Sequence, residues 1–440
     1  MNRRHWTVFA VCAAAFAFDA LDFQIMALVG PAITKEWSLR PQELGFILSA
    51  TGVGMLIGAY LFGILGDRIG RRLGFQITIA IFALSSGLCV FVQNPAQLVA
   101  LRFITGIGIG GCIPIDTAMM SEYMPARRRG QLMAWFALFF PIGGLLAAAA
   151  ARILVPEIGW RALFAVGVAP AILVLLVRLL IPESPRFLLA RGRMSEAEKS
   201  IDWLTGGHFQ KRSSSFSLPL SAIAPANFAD LFGSTYFRRT VMLTGVWFFW
   251  AFSYFGLILW LPSILTRFKG IEPAGVFEYL IGFQCCGILG RVTMSFVVDQ
   301  WGRIKTFALC ATGAAVAAMV FGQQTSVIGT LVAGYILAFF HDGGQSGIAA
   351  YAPELYPTRV RTTGVGWANG AARIAAFLSP AIMGYLVPFG PWALFALLAA
   401  GYLLAGIVIV SFRIETAGLN LEDAALDADS QSHETVAVLP

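Results

Sequence analysis

Twelve long apolar runs dominate the 440-residue sequence. Each approaches or exceeds the roughly 20 residues that an α-helix needs to cross a bilayer. Hydrophobic residues make up 58% of the chain and charged residues 12%, which is more apolar surface than a soluble domain buries. We therefore predict an all-α polytopic membrane protein with spans at about 6–34, 43–65, 73–92, 96–121, 131–155, 160–181, 239–265, 276–298, 306–323, 327–352, 362–388 and 391–412.

Basic residues are unevenly divided among the loops, and this asymmetry predicts an orientation. If the N-terminus lies inside, 21 of the 31 Lys and Arg residues fall in cytoplasmic segments and six in outer loops. Because cytoplasmic loops carry the excess of positive charge, both termini are predicted to be cytoplasmic. The net charge of +7 then reflects topology and contact with anionic lipid, not nucleic-acid binding.

The loops repeat at a constant spacing of 232 residues. "GDRIGRR" matches "VDQWGRIK", "SEYMPARRRG" matches "PELYPTRVRT", and "PESPR" matches "IETAG". Such a repeat predicts two parallel bundles of six spans each. The bundles are predicted over 1–181 and 239–413, with short cytoplasmic helices in a linker over 182–238 and a disordered cytoplasmic tail over 414–440.

These stretches resemble the major facilitator superfamily over nearly the whole chain. "GDRIGRR", "RFITGIGIGG", "PESPRFL" and "ELYPTRVRTTGVG" resemble signatures of its sugar-porter-like branch. "FDALDF", "GCIPIDTAMMSEYMPARRRG" and "GWANGAARIAAFLSPAIMG" resemble bacterial organic-acid:proton symporters, with niacin and aromatic-acid carriers as the nearest groups. The resemblance implies two bundles that rock around a site near the membrane midplane.

Charges present in both halves lie at the predicted cytoplasmic surface, where acids and bases can bind helix ends and one another. The resemblance implies that these clusters hold the bundles together when the cytoplasmic side is shut. The alternative is that they are topology signals in solvated loops. The predicted gating set is Asp67 with Arg71, Glu122 with Arg129 and Glu183 with Arg186, matched by Asp299 with Arg303, Glu354 with Arg361, and Glu415.

Other charges inside the spans occur in one half only, so the shared architecture does not explain them. Asp19 and Asp22 lie about halfway along span 1 and share a helix face. The resemblance implies that Asp22 carries the proton and that Arg102 of span 4 is its partner, with Asp19 tuning Asp22 or touching substrate. The alternative is a static ion pair needed for folding. His341 and Asp342 of span 10 are further candidates for proton coupling, and His341 could instead hydrogen-bond within the core.

Arginines inside the spans predict an anionic substrate. Arg373 lies mid-span in "NGAARIAAFLSP", and the acid carriers that the chain resembles have an arginine at this position. A buried guanidinium needs an anion or several carbonyls, and a carboxylate satisfies it bidentately. The other predicted substrate contacts are Arg291, which could instead reach the cytoplasmic side, Gln345, Asp116, which could instead join the cytoplasmic cluster, and Trp247, Trp250 and Tyr254, which could instead be packing residues.

Together these features predict a secondary transporter and not an enzyme. We expect proton-coupled symport of a small organic anion, such as niacin or a benzoate-like acid, by a monomer in a bacterial inner membrane. No phosphate-binding Gly-rich loop occurs between a strand and a helix, and the cysteines lack metal-ligand spacing, so no cofactor or metal is predicted beyond the proton. The alternatives are sugar or polyol uptake, which Arg373 argues against, drug/proton antiport, and a non-transporting membrane sensor.

Overall fold

A computed structural model describes residues 2–125, 128–207, 228–357 and 360–416, without the side chains of Arg129, Ala350 and Thr362. The described residues form sixteen α-helices. In chain order these are α1 (Arg3–Trp37), α2 (Pro41–Ile69), α3 (Arg71–Leu88), α4 (Pro95–Tyr123), α5 (Arg129–Ala137), α6 (Phe139–Ile158), α7 (Arg161–Val166), α8 (Ala171–Leu180), α9 (Pro185–Ala190), α10 (Met194–Thr205), α11 (Ser234–Lys269), α12 (Pro273–Trp301), α13 (Arg303–Gln323), α14 (Val327–Glu354), α15 (Arg361–Leu386) and α16 (Pro391–Phe412).

Twelve segments of the described chain are long and apolar enough to cross a membrane, and they lie where the apolar runs predict them. Span 5 is divided into α5 and α6, and span 6 into α7 and α8. Proline explains both breaks, because it has no N–H to donate to the carbonyl four residues earlier. A residue with an N–H at position 141 would donate to the carbonyl of the last residue of α5, and one at position 170 to that of α7, but Pro141 and Pro170 cannot donate. The all-α membrane fold is thus confirmed.

Glycines bring α2 and α4 into direct backbone contact. A Cβ on Gly106 would collide with the carbonyl oxygen of Thr51, and one on Gly110 with that of Met55. Small residues permit such approach where lipid supplies no hydrophobic driving force between helices. The glycines of "GIGIGG" therefore fix span 4 next to span 2.

The helices divide by their contacts into two compact units. Unit 1 comprises Met1–Ser213, Ile258–Gln284 and Pro380–Tyr385, and unit 2 comprises Ser214–Leu257, Cys285–Ser379 and Leu386–Pro440. The division differs from the boundaries of the sequence repeat because unit 1 includes segments of α11, α12 and α15. Within unit 1, the Gln284 amide donates to Gln24 Oε1 at 2.6 Å, which attaches α12 to α1.

The linker contains two short helices, α9 and α10, as predicted, and residues 208–227 lie outside the described residues. The predicted disorder over 414–440 is wrong for its first three residues. The Tyr351 hydroxyl donates to the carbonyl oxygen of Ile414 at 2.5 Å, Glu415 accepts a backbone N–H at 2.9 Å, and Thr416 is buried. These bonds hold the segment against unit 2, whereas 417–440 lies outside the described residues.

Candidate functional site

Asp22 and Arg102 form a fully buried ion pair. Arg102 Nη1 lies 2.9 Å from Asp22 Oδ2, and neither side chain is exposed. The Ser86 hydroxyl donates to Asp22 Oδ1, and Arg102 Nη2 lies 3.4 Å from Cys89 Sγ. The predicted partnership is present as a contact, while its role in proton coupling stays a prediction.

Two residues of the sixth span shape this pair. Arg102 Cζ lies 4.9 Å from the ring centroid of Phe164, a cation–π contact that adds stabilisation to a desolvated guanidinium. A Cβ on Gly167, just after α7, would lie 2.8 Å from Asp22 Oδ1 and would collide with the Ser86 hydroxyl. The absence of a side chain at Gly167 therefore makes room for the ion pair. Sequence reasoning missed both residues, because no charge or motif marks them.

Asp19 belongs to a different cluster from Asp22. The donor atoms of Asp19, Cys112 and Asp116 lie within 4.8 Å of one another, and all three side chains are buried. Cys112 Sγ lies 3.8 Å from Asp116 Oδ2, and Asp116 Oδ1 has no hydrogen-bond partner among the described groups. In the described part of the chain, these three residues form the one group with the spacing to hold a metal ion. Two carboxylates and a thiol can equally share protons.

A second, largely buried ion pair joins α12 to α14. Arg291 Nη2 lies 2.6 Å from Asp342 Oδ1, with 11% and 6% of the two side chains exposed. A Cβ on Gly287, one turn before Arg291, would collide with Asp342 Oδ2. Arg291 was predicted to contact substrate or to reach the cytoplasmic side. The structure instead gives it an acidic partner, which the sequence spacing did not indicate.

His341 lies between two aromatic rings. Its ring stacks on Tyr254 at 4.6 Å with an interplanar angle of 7°, and on Trp250 at 5.1 Å with an angle of 18°. His341 Nδ1 lies 3.1 Å from the Tyr402 hydroxyl. Trp250 is 2% exposed and also packs on Phe307, so in this structure it supports the stack from within the core. Tyr254, at the other end of the stack, is half-buried.

The remaining predicted substrate contacts lie on three helices of unit 2. Arg373 is half-buried on α15, and Gln345 is half-buried on α14, one turn beyond Asp342. Trp247 lies on α11, two turns before Tyr254, and its buried Nε1 has no hydrogen-bond partner among the described groups. An orphaned buried N–H of this kind is costly and can be satisfied by a ligand oxygen.

The charged residues present in both halves form two matching clusters. Arg71 Nη1 lies 2.5 Å from Asp67 and Arg71 Nη2 lies 3.2 Å from Glu122, while Ser184 donates to Glu122. Arg303 lies 3.1 Å from Asp299 and 3.0 Å from Glu354, while Thr416 donates to Glu354. Each contact thus recurs 232 residues later, which confirms the repeat at the level of individual side chains.

A carboxylate also caps the helix that follows each of these loops. Glu183 accepts the backbone N–H of Arg71 at 2.9 Å, and Glu415 accepts that of Arg303 at 2.9 Å. An anion at a helix N-terminus meets both unpaired N–H groups and the positive end of the helix dipole. Gly70 and Gly302 precede these helices with φ of 99° and 93°, a region that favours glycine. The glycine that occurs in both copies of the motif is thus explained by the backbone conformation that the position requires.

Asp67 and Asp299 pair with Arg71 and Arg303 as predicted, whereas the other partners in these clusters differ from the predicted ones. Glu354 is bound by Arg303, and Arg361 Nε instead donates to the carbonyl oxygens of Pro353 and Tyr356 at 2.9 and 3.1 Å. Glu122 is likewise bound by Arg71, while the Arg129 side chain is outside the described set. Arg186 is exposed. Glu122 and Glu354 are therefore bound by the arginine that lies 51 residues earlier in the chain, and not by the arginine that follows them.

Replacing Asp67 by Asn should lower the initial uptake rate about fivefold or more while leaving membrane insertion intact. A fivefold change corresponds to about 1 kcal/mol, the lower end of typical coupling free energies between distant sites. Asp67 is 69% exposed, and an exposed i,i+4 pair adds at most about 0.5 kcal/mol of stability. A transport defect would therefore come from a contact made in another conformation. Radiotracer uptake and the folded yield measure the two effects, with Glu43→Gln at the other helix end as control. Normal initial rates would count against a gating role.

Comparisons with known proteins fit this geometry. The model of the family "Sugar (and other) transporter" matches residues 24–427. The chain is 33% identical to the niacin transporter NiaP of Acinetobacter baylyi, over 97% of this chain and 98% of the relative. It is 32% identical to the 4-hydroxybenzoate transporter PcaK of Pseudomonas aeruginosa, over 88% and 87%. The inward-open xylose transporter XylE from E. coli aligns with a TM-score of 0.77 at 19% identity, over 96% of this chain and 99% of XylE.

The fold and the buried charges define a multi-pass membrane transporter of the major facilitator type, not an enzyme. The chain belongs to the sugar (and other) transporter family. The predicted superfamily and branch are confirmed by this match and by the relatives named above.

Proposed function

We propose that the protein imports a small organic anion together with protons, and that the anion is an aromatic or heteroaromatic monocarboxylate of the niacin or benzoate type. The observation that carries this proposal is the ion pair between Asp22 and Arg102, which is fully buried and lacks a counterpart in the other half. The names of the relatives support the substrate class, since NiaP and PcaK carry an acid of this kind.

Protonation of Asp22 is the step that links the proton to the conformation. A protonated Asp22 leaves Arg102 buried without its counter-charge, and such a loss costs about 3–5 kcal/mol when one partner of a buried pair is removed. A rearrangement that gives Arg102 water or another anion relieves this cost. The two conformations therefore differ in proton affinity, which is the requirement for coupling a proton gradient to a transport cycle.

Asp19 and Asp116 supply a second acidic site beside this pair. Two carboxylates that share a dry site hold a proton between them, because like charges at this distance are not both stable without water. Both residues are buried on α1 and α4, the two helices that also carry Asp22 and Arg102. This placement supports a proton-sharing role for Asp19, and we propose that Asp116 belongs to the proton pathway and not to the substrate contacts.

The substrate is assigned to the side chains of unit 2. Arg373 offers a planar fork that pairs with a carboxylate, and the half-buried Tyr254 at the end of the His341 stack offers a ring face. Trp247 Nε1 offers a donor for a second oxygen or a ring nitrogen. These groups suit a flat anion better than a polyhydroxylated sugar, which is the rival substrate class.

A thermal-shift screen separates the two classes. Niacin and 4-hydroxybenzoate should stabilise the purified protein at two pH values, whereas xylose and the uncharged nicotinamide should not. A ligand at about one hundred times its Kd stabilises the folded state by about 2.7 kcal/mol, which is readily detected. Stabilisation by xylose and none by the two acids would establish sugar uptake instead.

A further inference from the structure

A cavity of about 630 Å³ lies in unit 1, away from the transport residues described above. It is bounded by the start of α3, the end of α8 and the linker helices α9 and α10. These elements lie on the face that carries the basic loops, which is the predicted cytoplasmic face. Its charged lining consists of Arg72, Arg178, Arg193 and Lys199 together with Glu183 and Glu196.

The two acids of this lining already have hydrogen-bond donors within the protein. Arg193 donates to Glu196 at 2.6 and 2.7 Å, and these hydrogen bonds hold the pKa of Glu196 below its usual range. Glu183 accepts backbone N–H groups at the start of α3. The remaining basic groups are Arg72, Arg178 and Lys199. Within the described part of the chain, none of these three has a carboxylate within ion-pair distance.

Arg72, which lines the cavity, also carries an unsatisfied donor. Its Nη2 donates to the carbonyl oxygen of Arg178, which holds the guanidinium in place. Its Nε is buried and has no hydrogen-bond partner among the described groups. A buried N–H without an acceptor costs about 1–3 kcal/mol, and more when the group is charged.

The rim of the cavity is apolar on the membrane side. Leu73 lines the cavity and is 47% exposed, and Leu179, next to Arg178, is 77% exposed. Trp203 of α10 also lines the cavity, and tryptophan favours the level where hydrocarbon meets headgroups. The cavity therefore combines a positive floor with an apolar exit, which matches a lipid headgroup with its acyl chains better than a soluble anion.

We propose that this cavity binds the headgroup of an anionic phospholipid from the cytoplasmic leaflet. The phosphate contacts Arg72, Arg178 and Lys199, and the acyl chains run along Leu73 and Leu179 towards the membrane. Basic pockets beside spanning helices bind anionic headgroups in this way. A bound lipid would also fix the linker helices α9 and α10 against the start of α3, next to the Asp67 cluster.

Native mass spectrometry of the full chain in detergent tests this site. Phosphatidylglycerol should remain bound where phosphatidylcholine does not. The double variant Arg178→Gln/Lys199→Gln should weaken phosphatidylglycerol binding about tenfold or more, because each basic residue near the surface contributes about a fivefold change in affinity. The matched control Arg3→Gln/Arg413→Gln removes two exposed charges outside the cavity and should bind phosphatidylglycerol as the unaltered protein does.

Two outcomes would overturn the proposal. One is equal loss of phosphatidylglycerol from both double variants, which would indicate attraction by net charge alone. The other is displacement of phosphatidylglycerol by millimolar inorganic phosphate, which would identify the site as one for soluble anions. Thermal unfolding with and without phosphatidylglycerol checks that the double variant is folded. Because neither measurement uses transport, failure here is distinct from failure of the proposed symport.

Discussion

The Asp22→Asn variant is expected to lose accumulation of the substrate against a gradient while retaining exchange across the membrane. A gradient of one pH unit corresponds to about 1.36 kcal/mol and so drives about tenfold accumulation when one proton enters with one anion. Asparagine resembles aspartate in shape but carries no proton between the two sides. In proteoliposomes, the unaltered protein should approach about tenfold accumulation, and the variant should equilibrate at a ratio of about one.

Counterflow exchange distinguishes lost coupling from lost folding. Vesicles preloaded with unlabelled substrate should still take up labelled substrate through the variant, because exchange needs no net proton movement. The control Glu278→Gln removes one partner of the Arg152 pair, in which the glutamate side chain is 61% exposed. Exposed pairs add at most about 1 kcal/mol, so this control should accumulate substrate normally.

The double variant Asp22→Asn/Arg102→Gln separates coupling from a static brace. If the pair only supports folding, removal of both charges leaves no uncompensated ion, and transport driven by the proton gradient should return. If Asp22 carries the proton, the double variant should regain stability but remain uncoupled. Full accumulation by either variant would contradict the proposed role of Asp22.

The fold could be predicted in full at the level of spans, because span length and loop charge are properties of single segments. The 232-residue spacing even located the clusters of Asp67 and Asp299, whose contacts match one to one. The partners of Asp22 were only half predicted. Arg102 was indicated by resemblance, whereas Ser86 and Phe164 are common residues in spans, and only packing places them at the ion pair.

Pairings across spans account for the other differences. Asp342 binds Arg291 across 51 residues, and Asp19 meets Asp116 across 97, distances along the chain that no spacing rule covers. Sequence reasoning grouped Asp19 with Asp22 because an i,i+3 spacing places both on one face. A span packed against several neighbours nevertheless offers each side chain a different partner. The roles of the glycines at 167 and 287 were missed for the same reason, since each makes room for a side chain that belongs to another helix.

The contacts within unit 2 indicate different roles for Arg291 and Arg373. Arg291 is engaged by Asp342, and its guanidinium is therefore neutralised in this conformation. Arg291 therefore holds α12 against α14, while the half-buried Arg373 of α15 keeps the contact with the substrate anion that is proposed for it.

Replacing Arg373 by Lys is expected to raise the KM for niacin or 4-hydroxybenzoate about tenfold or more, with a smaller change in kcat. Lysine keeps the charge but loses the fork that binds both carboxylate oxygens, and hydrogen bonds to charged groups contribute about 1.5–3 kcal/mol. Arg373→Gln, which removes the charge as well, should raise KM further. Initial uptake rates over a range of substrate concentrations measure both constants.

Thermal stabilisation by the acids shows whether Arg373 binds the substrate carboxylate. If Arg373 binds the anion, both variants should lose thermal stabilisation by the acids, and the matched variant Arg267→Gln, which removes an exposed charge at the end of α11, should keep it. If Arg373 only braces α15, the melting temperature without ligand should fall in both variants and stabilisation by the acids should persist. An unchanged KM in Arg373→Gln would exclude the guanidinium from substrate binding. Another cation of the spans would then have to neutralise the anion. The first candidate is Arg102, which loses its counter-charge when Asp22 is protonated.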